Sequence, residues 1–193
     1  IWEYYKWYII VITFAVIFGI YLIFSYATRK EEVAHVLMVN ADLEAVSDDD
    51  NRMFDGLLSD NGYNTVKQEV AVNDGLHVDP TGVGQNNYYT FSSILTILEA
   101  GGADVYLADP ETFDLIGSTS NLKDLSTVLP EDIMKKYADK LVYATDEETK
   151  EEYPCGIEIT GNEWTKETGL YSGECVIGAA YGDAKDGLSE KLI

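Results

Sequence analysis

Cationic side chains are scarce in this chain: 13 Lys and Arg stand against 34 Asp and Glu, a formal net charge of -21. Nucleic acid is therefore a poor partner, because a phosphate backbone repels such a field and no basic stripe offsets it. Histidine is limited to His35 and His77, and cysteine to Cys155 and Cys175. With no CxxC and no histidine near either cysteine, the spacing needed for a sequence-local metal or redox site is missing. There is no GxSxG and no Cys-His pattern, so neither histidine has a recognisable nucleophile to serve. The chain is read as non-enzymatic, and no cofactor is implied. Asp48-Asp49-Asp50-Asn51 lacks the alternating ligands, the central glycine and the distal glutamate of a calcium loop and reads as a helix start. Internal repeats and low-complexity tracts are also missing.

The chain has one long apolar run. Tyr8–Tyr26 reads YIIVITFAVIFGIYLIFSY and carries no charge, close to the length of helix that crosses a hydrocarbon core. Trp2, Tyr4, Tyr5, Trp7 and Tyr8 at one end and Tyr26 at the other suit the aromatic belts of a bilayer interface. The rival readings are a buried core helix, which the polar remainder is too small to wrap, and a signal peptide. The run exceeds a usual h-region, and Phe24-Ser25-Tyr26-Ala27 is a poor cleavage site. Residues 1–30 are thus expected to be a single-pass anchor whose partner is the lipid bilayer through residues 8–26. Lys6 precedes the span and Arg29 and Lys30 follow it, which by the positive-inside count alone would put the following domain in the cytoplasm. The two cysteines and the acidic, tyrosine-rich, lysine-poor character of residues 31–193 favour the outside of the cell, and an extracellular domain is the expectation. Starting at Ile1 and ending within a helical pattern, the sequence is expected to continue beyond both ends.

Glu3, Lys6, Arg29 and Lys30 are the only charged residues of the first thirty, so residues 31–193 hold 10 basic and 33 acidic residues, a net charge of -23. One domain is expected there. Val33–Asn40 is a continuous apolar run ending in a polar residue, as in a central strand buried on both faces. Ser47 and the acids after it start a helix that Asn61-Gly62 stops. Thr65–Val72 alternates as a second strand, and Asn73–Asn87 reads as a long irregular segment. Ser92–Phe113 is the clearest unit. Ile94, Leu95, Ile97 and Leu98 form a helical stripe, Gly101-Gly102 ends it, and Asp104–Asp109 is a buried strand. Asp109 and Pro110 then cap and open the next helix. Helical turns follow at 122–130 and 130–137, strands at 141–145 and 156–159 flank an acidic turn, and Trp164–Thr168, Cys175–Ala180 and Ala184–Ile193 read as helix, strand and helix. Strands taking turns with helices imply an α/β fold: one mainly parallel sheet with helices on both faces.

Open α/β sheets bind ligands beyond the carboxyl ends of their strands. That rule singles out Asn40, Asp42 and Asp109, together with the loop Gln85-Asn86-Asn87-Tyr88, whose amides and ring can hydrogen-bond and stack. The structural alternative is that these residues cap helices. Cys155 and Cys175 each stand beside a predicted strand, so a disulfide between neighbouring strands is weighed against two free buried thiols.

Leu98-Glu-Ala-Gly-Gly-Ala-Asp-Val-Tyr-Leu-Ala-Asp109, Leu122-Lys-Asp-Leu125, Leu129-Pro-Glu131, Leu141-Val-Tyr-Ala144 and Gly178-Ala-Ala-Tyr181 together resemble a lobe of bacterial extracellular solute-binding proteins, over residues 90–193. The resemblance implies a periplasmic-binding-type α/β lobe with a non-enzymatic role, here as a single lobe on a membrane anchor. Its partner is then a small solute or, in the alternative, another membrane protein for which the lobe is a structural or regulatory interaction module.

Overall fold

A computed structural model describes residues 2–42, 50–82, 84–119, 121–146 and 149–193. It begins with the helix α1 (Trp2–Thr28), of which Trp7–Thr28 has a mean hydropathy of 2.5 and is not covered by the rest of the protein. This helix is long and apolar enough to cross a bilayer. Only Arg29 and Lys30 separate it from β1 (Glu31–Val39), so the amino end of the first strand is tied directly to the end of α1.

The remaining elements are α2 (Asp55–Asp60, preceded by a 3₁₀ turn at Asp50–Phe54), β2 (Gln68–Leu76), α3 (Gln85–Glu99), β3 (Val105–Ala108) and α4 (Pro110–Gly117). After them come α5 (Leu125–Val128), α6 (Glu131–Lys136), β4 (Leu141–Thr145), β5 (Glu152–Glu158), α7 (Glu163–Thr168), β6 (Val176–Ala179) and α8 (Leu188–Leu192). The expected helix start at Ser47 lies outside the described residues. The irregular stretch expected over Asn73–Asn87 is shorter than that, because β2 runs on to Leu76 and α3 already begins at Gln85.

The six strands among the described residues join one sheet in the order β2-β1-β3-β6-β5-β4. The fold is α/β, but the sheet is mixed and the expectation of a mainly parallel one is corrected. β1 is parallel to β2 and β3, whereas the β3–β6, β6–β5 and β5–β4 pairs are antiparallel. For β4 and β5 the reason is connection length: the short link between Thr145 and Glu152 closes a hairpin, and parallel neighbours need a crossover of about a dozen residues. The link from β5 to β6 carries α7 and is long enough for a crossover, so length does not set the direction of β6. β6 then returns through the middle of the sheet, between β3 and β5.

Helices cover both faces. Val36 and Met38 of β1, Val105 and Leu107 of β3 and Ile177 of β6 pack with Phe54, Leu58, Leu125 and Leu188 on one face. On the other, Leu37, Val39, Tyr106, Ala108 and Val176 pack with Ile94 and Leu98 of α3 and Phe113 and Ile116 of α4. The two middle strands, β3 and β6, are therefore buried and uncharged at every position, as double coverage demands. Gly156 and Gly178 face each other across β5 and β6, and the Phe113 ring rests on them: a Cβ at Gly156 would lie 2.6 Å from two of its carbons.

Cys155 and Cys175 are buried free thiols, and the bridge weighed above does not form. In β5 the partner of Val142 is Gly156 and that of Tyr143 is Pro154, so Cys155 is the extra residue of a bulge. The bulge turns Cys155 to the α3–α4 face while Cys175 lies on the other. Cys175 stands beside Ile159, several residues farther along the strand, which puts the pair roughly 13 Å apart at about 3.3 Å per residue. A disulfide requires Cα atoms within about 7 Å.

Candidate functional site: an acidic cleft at the strand ends

β1 gives way to Asn40, whose φ of 59° places it in the left-handed region. Asparagine tolerates this conformation better than most residues, and here it aims the amide across three segments. The side-chain Nδ2 donates to the Val78 carbonyl at 2.7 Å, to Asp109 Oδ2 at 2.7 Å and towards Thr112 Oγ1 at 3.0 Å. Its Oδ1 accepts from the Val78 N–H at 2.8 Å. Asp109, at the end of β3, caps α4 by accepting from the Thr112 N–H at 3.0 Å. The cap expected from Asp-Pro is thus present, and Asn40 holds it against the end of β1.

Because β6 runs against β3, the segment leading into it arrives at this same end of the sheet. The Asp42 N–H donates to the Leu170 carbonyl at 2.7 Å. The buried Tyr171 hydroxyl lies 2.9 Å from the Val39 carbonyl and 3.2 Å from that of Leu107, bridging the ends of β1 and β3. Burial raises the pKa of this phenol, chiefly by desolvating its ionised form. Between these elements lies a cleft of about 360 Å³ bordered by Asn40, Asp42, Asp109, Glu111 and the Tyr171–Glu174 segment. Four of its lining residues are acidic and none is basic. Asp42, Glu111 and Glu174 are exposed and Asp109 is half-buried, so the cleft presents a negative, salt-screened potential that attracts cations.

Of the residues chosen from the sequence, Asn40, Asp42 and Asp109 meet in this cleft. Gln85, Asn86, Asn87 and Tyr88 do not line it. They form the amino end of α3, where Asn87 closes the preceding turn by donating to the carbonyls of Asp79 (2.7 Å) and Gly82 (2.9 Å) and accepting from the Asp79 N–H (2.9 Å). Gln85 Nε2 donates to the Tyr89 hydroxyl at 3.0 Å, and Tyr88 is 68% exposed. Asn87 is thus used in holding the turn, but it caps no helix: the N-cap of α3 is Gly84, without a side-chain hydrogen bond. Hydrogen bonds from the Thr81 hydroxyl and N–H hold the Asp79 carboxyl below its usual range in that turn.

Sequence reasoning missed Glu111 and the Leu170–Glu174 segment. The signal was the polar, glycine-containing stretch Gly169-Leu-Tyr-Ser-Gly173 before the last strand, which a parallel β6 would have placed at the opposite end of the sheet. His35 lies within β1, and its N–H donates to Asp104 Oδ2 at 2.7 Å. His77 is exposed. Among the described residues no group of three or more His, Cys, Asp or Glu is placed to hold a metal ion. Compared with protein-family models, with curated proteins and with solved structures, the chain finds no match.

Proposed function

We propose that the protein is a membrane-anchored, non-enzymatic binding domain that takes a small, positively charged solute in the strand-end cleft. In this reading residues 8–26 span the bilayer once and residues 31–193 stand outside the cell. The acid-lined cleft carries the proposal. It lies where open α/β sheets place their ligands, and it sits at the far end of β1 from the anchor. The nine residues of that strand span about 30 Å at roughly 3.3 Å each, the length of strand that separates the cleft from the end of α1. The resemblance of residues 90–193 to a lobe of bacterial extracellular solute-binding proteins points the same way.

Titration calorimetry of the full chain in lipid nanodiscs, against amino acids, polyamines and amino sugars, tests it. At least one cationic solute is expected to bind, and Glu111→Gln or Glu174→Gln to raise its Kd about tenfold, a loss of about 1.4 kcal/mol. No heat from any member of the panel sinks the solute reading and leaves the domain as an interaction module of a membrane complex.

A further inference from the structure

We infer that the outer face of α3 is where a second copy of this chain docks, side by side in the same membrane. No charged residue stands between Asp79 and Glu99, in a chain whose residues are 24% charged and whose formal net charge is -21. α3 covers most of that stretch. Its Ile94 and Leu98 are buried against the sheet, and its opposite side shows Gln85, Tyr88, Tyr89, Ser92, Ser93 and Thr96 to solvent. The two tyrosine rings meet edge to face with centroids 6.1 Å apart, and more than half of each residue is exposed.

Two observations suit this face to burial. Three of the helix's hydroxyls are already used: Thr90 donates to the Asn86 carbonyl at 3.2 Å, Ser93 to that of Tyr89 at 2.8 Å and Thr96 to that of Ser92 at 2.8 Å, so covering them leaves no donor stranded there. Tyrosine, moreover, is enriched in the cores of protein interfaces. Charge then selects the partner. A basic protein is drawn to the acidic surfaces elsewhere on the domain, whereas two copies that each carry -23 over residues 31–193 repel wherever carboxylates meet. A face free of carboxylates up to Glu99 in its last turn is the place where two such copies approach at least cost, and a two-fold contact uses the same patch on both. The area is small. The 15 residues of α3 make a rod about 22 Å long, too little by itself for the roughly 800 Å² that each partner buries in a stable interface. Holding both copies in one bilayer through α1 raises their effective concentration and offsets the weakness of the contact.

Oxidative cross-linking of the full chain in its own membranes decides the matter, since both native thiols are buried. Ser92→Cys, in the middle of the face, is expected to give a disulfide-linked dimer, and Thr127→Cys, exposed on α5 across the sheet, is not. Adding Ser93→Glu to Ser92→Cys sets like charges against each other, and the dimer yield is expected to fall at least about tenfold. Ser93→Gln, of similar size without the charge, keeps the dimer. No dimer from Ser92→Cys overturns the inference. So does a dimer whose yield Ser93→Glu leaves unchanged, because the contact then lies elsewhere in the chain, and so does an adduct with a protein of another mass. The tether rests on a retained span and the face does not: a chain recovered soluble that still cross-links through Ser92→Cys supports the face and sinks the span.

Discussion

Asn40 combines two demands that few side chains meet together: a left-handed backbone, and an amide that both donates and accepts. Removing them one at a time separates the two contributions. Asn40→Gly keeps the backbone conformation and loses the hydrogen bonds to Val78 and Asp109, at an expected cost of about 2 kcal/mol for partly buried polar groups left unpaired. Asn40→Ala adds a strained φ and is expected to be less stable than the glycine variant by about 1 kcal/mol, a difference measurable by urea denaturation. If alanine proves equal to glycine, the left-handed conformation contributes nothing. At this scale the sequence revealed the position but not the partners. A polar residue ending an apolar run marks a strand end, whereas contact with Asp109, 69 residues away, depends on which strands lie side by side.

Among the elements, the α4–β5–β6 contact shows why the sheet has its present packing. Phe113 sits on Gly156 and Gly178, and side-chain atoms of Phe113 and Val176 fill the space a Cβ at Gly156 would need. Gly156→Ala is expected to cost about 1–3 kcal/mol through overpacking. The same substitution in a Phe113→Leu background is expected to cost less, a coupling that a double-mutant cycle reads directly. The sequence located the strands and helices well, because caps, glycine stops and apolar runs are local signals. Strand direction is not local: an apolar strand reads alike whichever way it points. Taking β6 as parallel also hid the Leu170–Glu174 segment from the site, so one topological misreading removed a wall of the cleft.

The thiols of these same strands give a pH dependence. Burial pushes Cys155 and Cys175 up to about 12, from ordinary values of 9.0. The folded state therefore holds these protons more tightly than the unfolded chain does. Their contribution is fully present below about pH 9 and is lost as pH rises from 9 towards 12. The urea midpoint is expected to stay level from pH 7 to 9 as far as these groups are concerned and to fall above it, less steeply in the Cys155→Ala, Cys175→Ala double variant. At pH 8 a thiol reagent is expected to label neither cysteine in the native protein and both in urea. Failure to label in urea without reductant would instead reveal a disulfide.

For the whole molecule, the division between α1 and the rest follows from opposite kinds of surface. Trp7–Thr28 is uncovered and apolar, while residues 31–193 carry a net charge of -23. A domain so charged is repelled by anionic lipid, so whatever holds the protein to a membrane acts through the helix. Two readings of that helix remain in play, a retained span and a removed signal, and they predict different material. A span keeps the chain in the membrane fraction through washes in high salt, since apolar burial is insensitive to screening, and leaves residues 1–30 on the recovered protein by mass. A signal leaves a shorter, soluble chain beginning near β1. The retained span is the expected outcome, with the fragment 31–193 showing no affinity for anionic vesicles. Protease added to intact cells is then expected to remove the domain, because the proposed binding of cationic solutes from outside requires the cleft to face them; full protection would place it on the cytoplasmic side, as the count of Arg29 and Lys30 against Lys6 favours on its own.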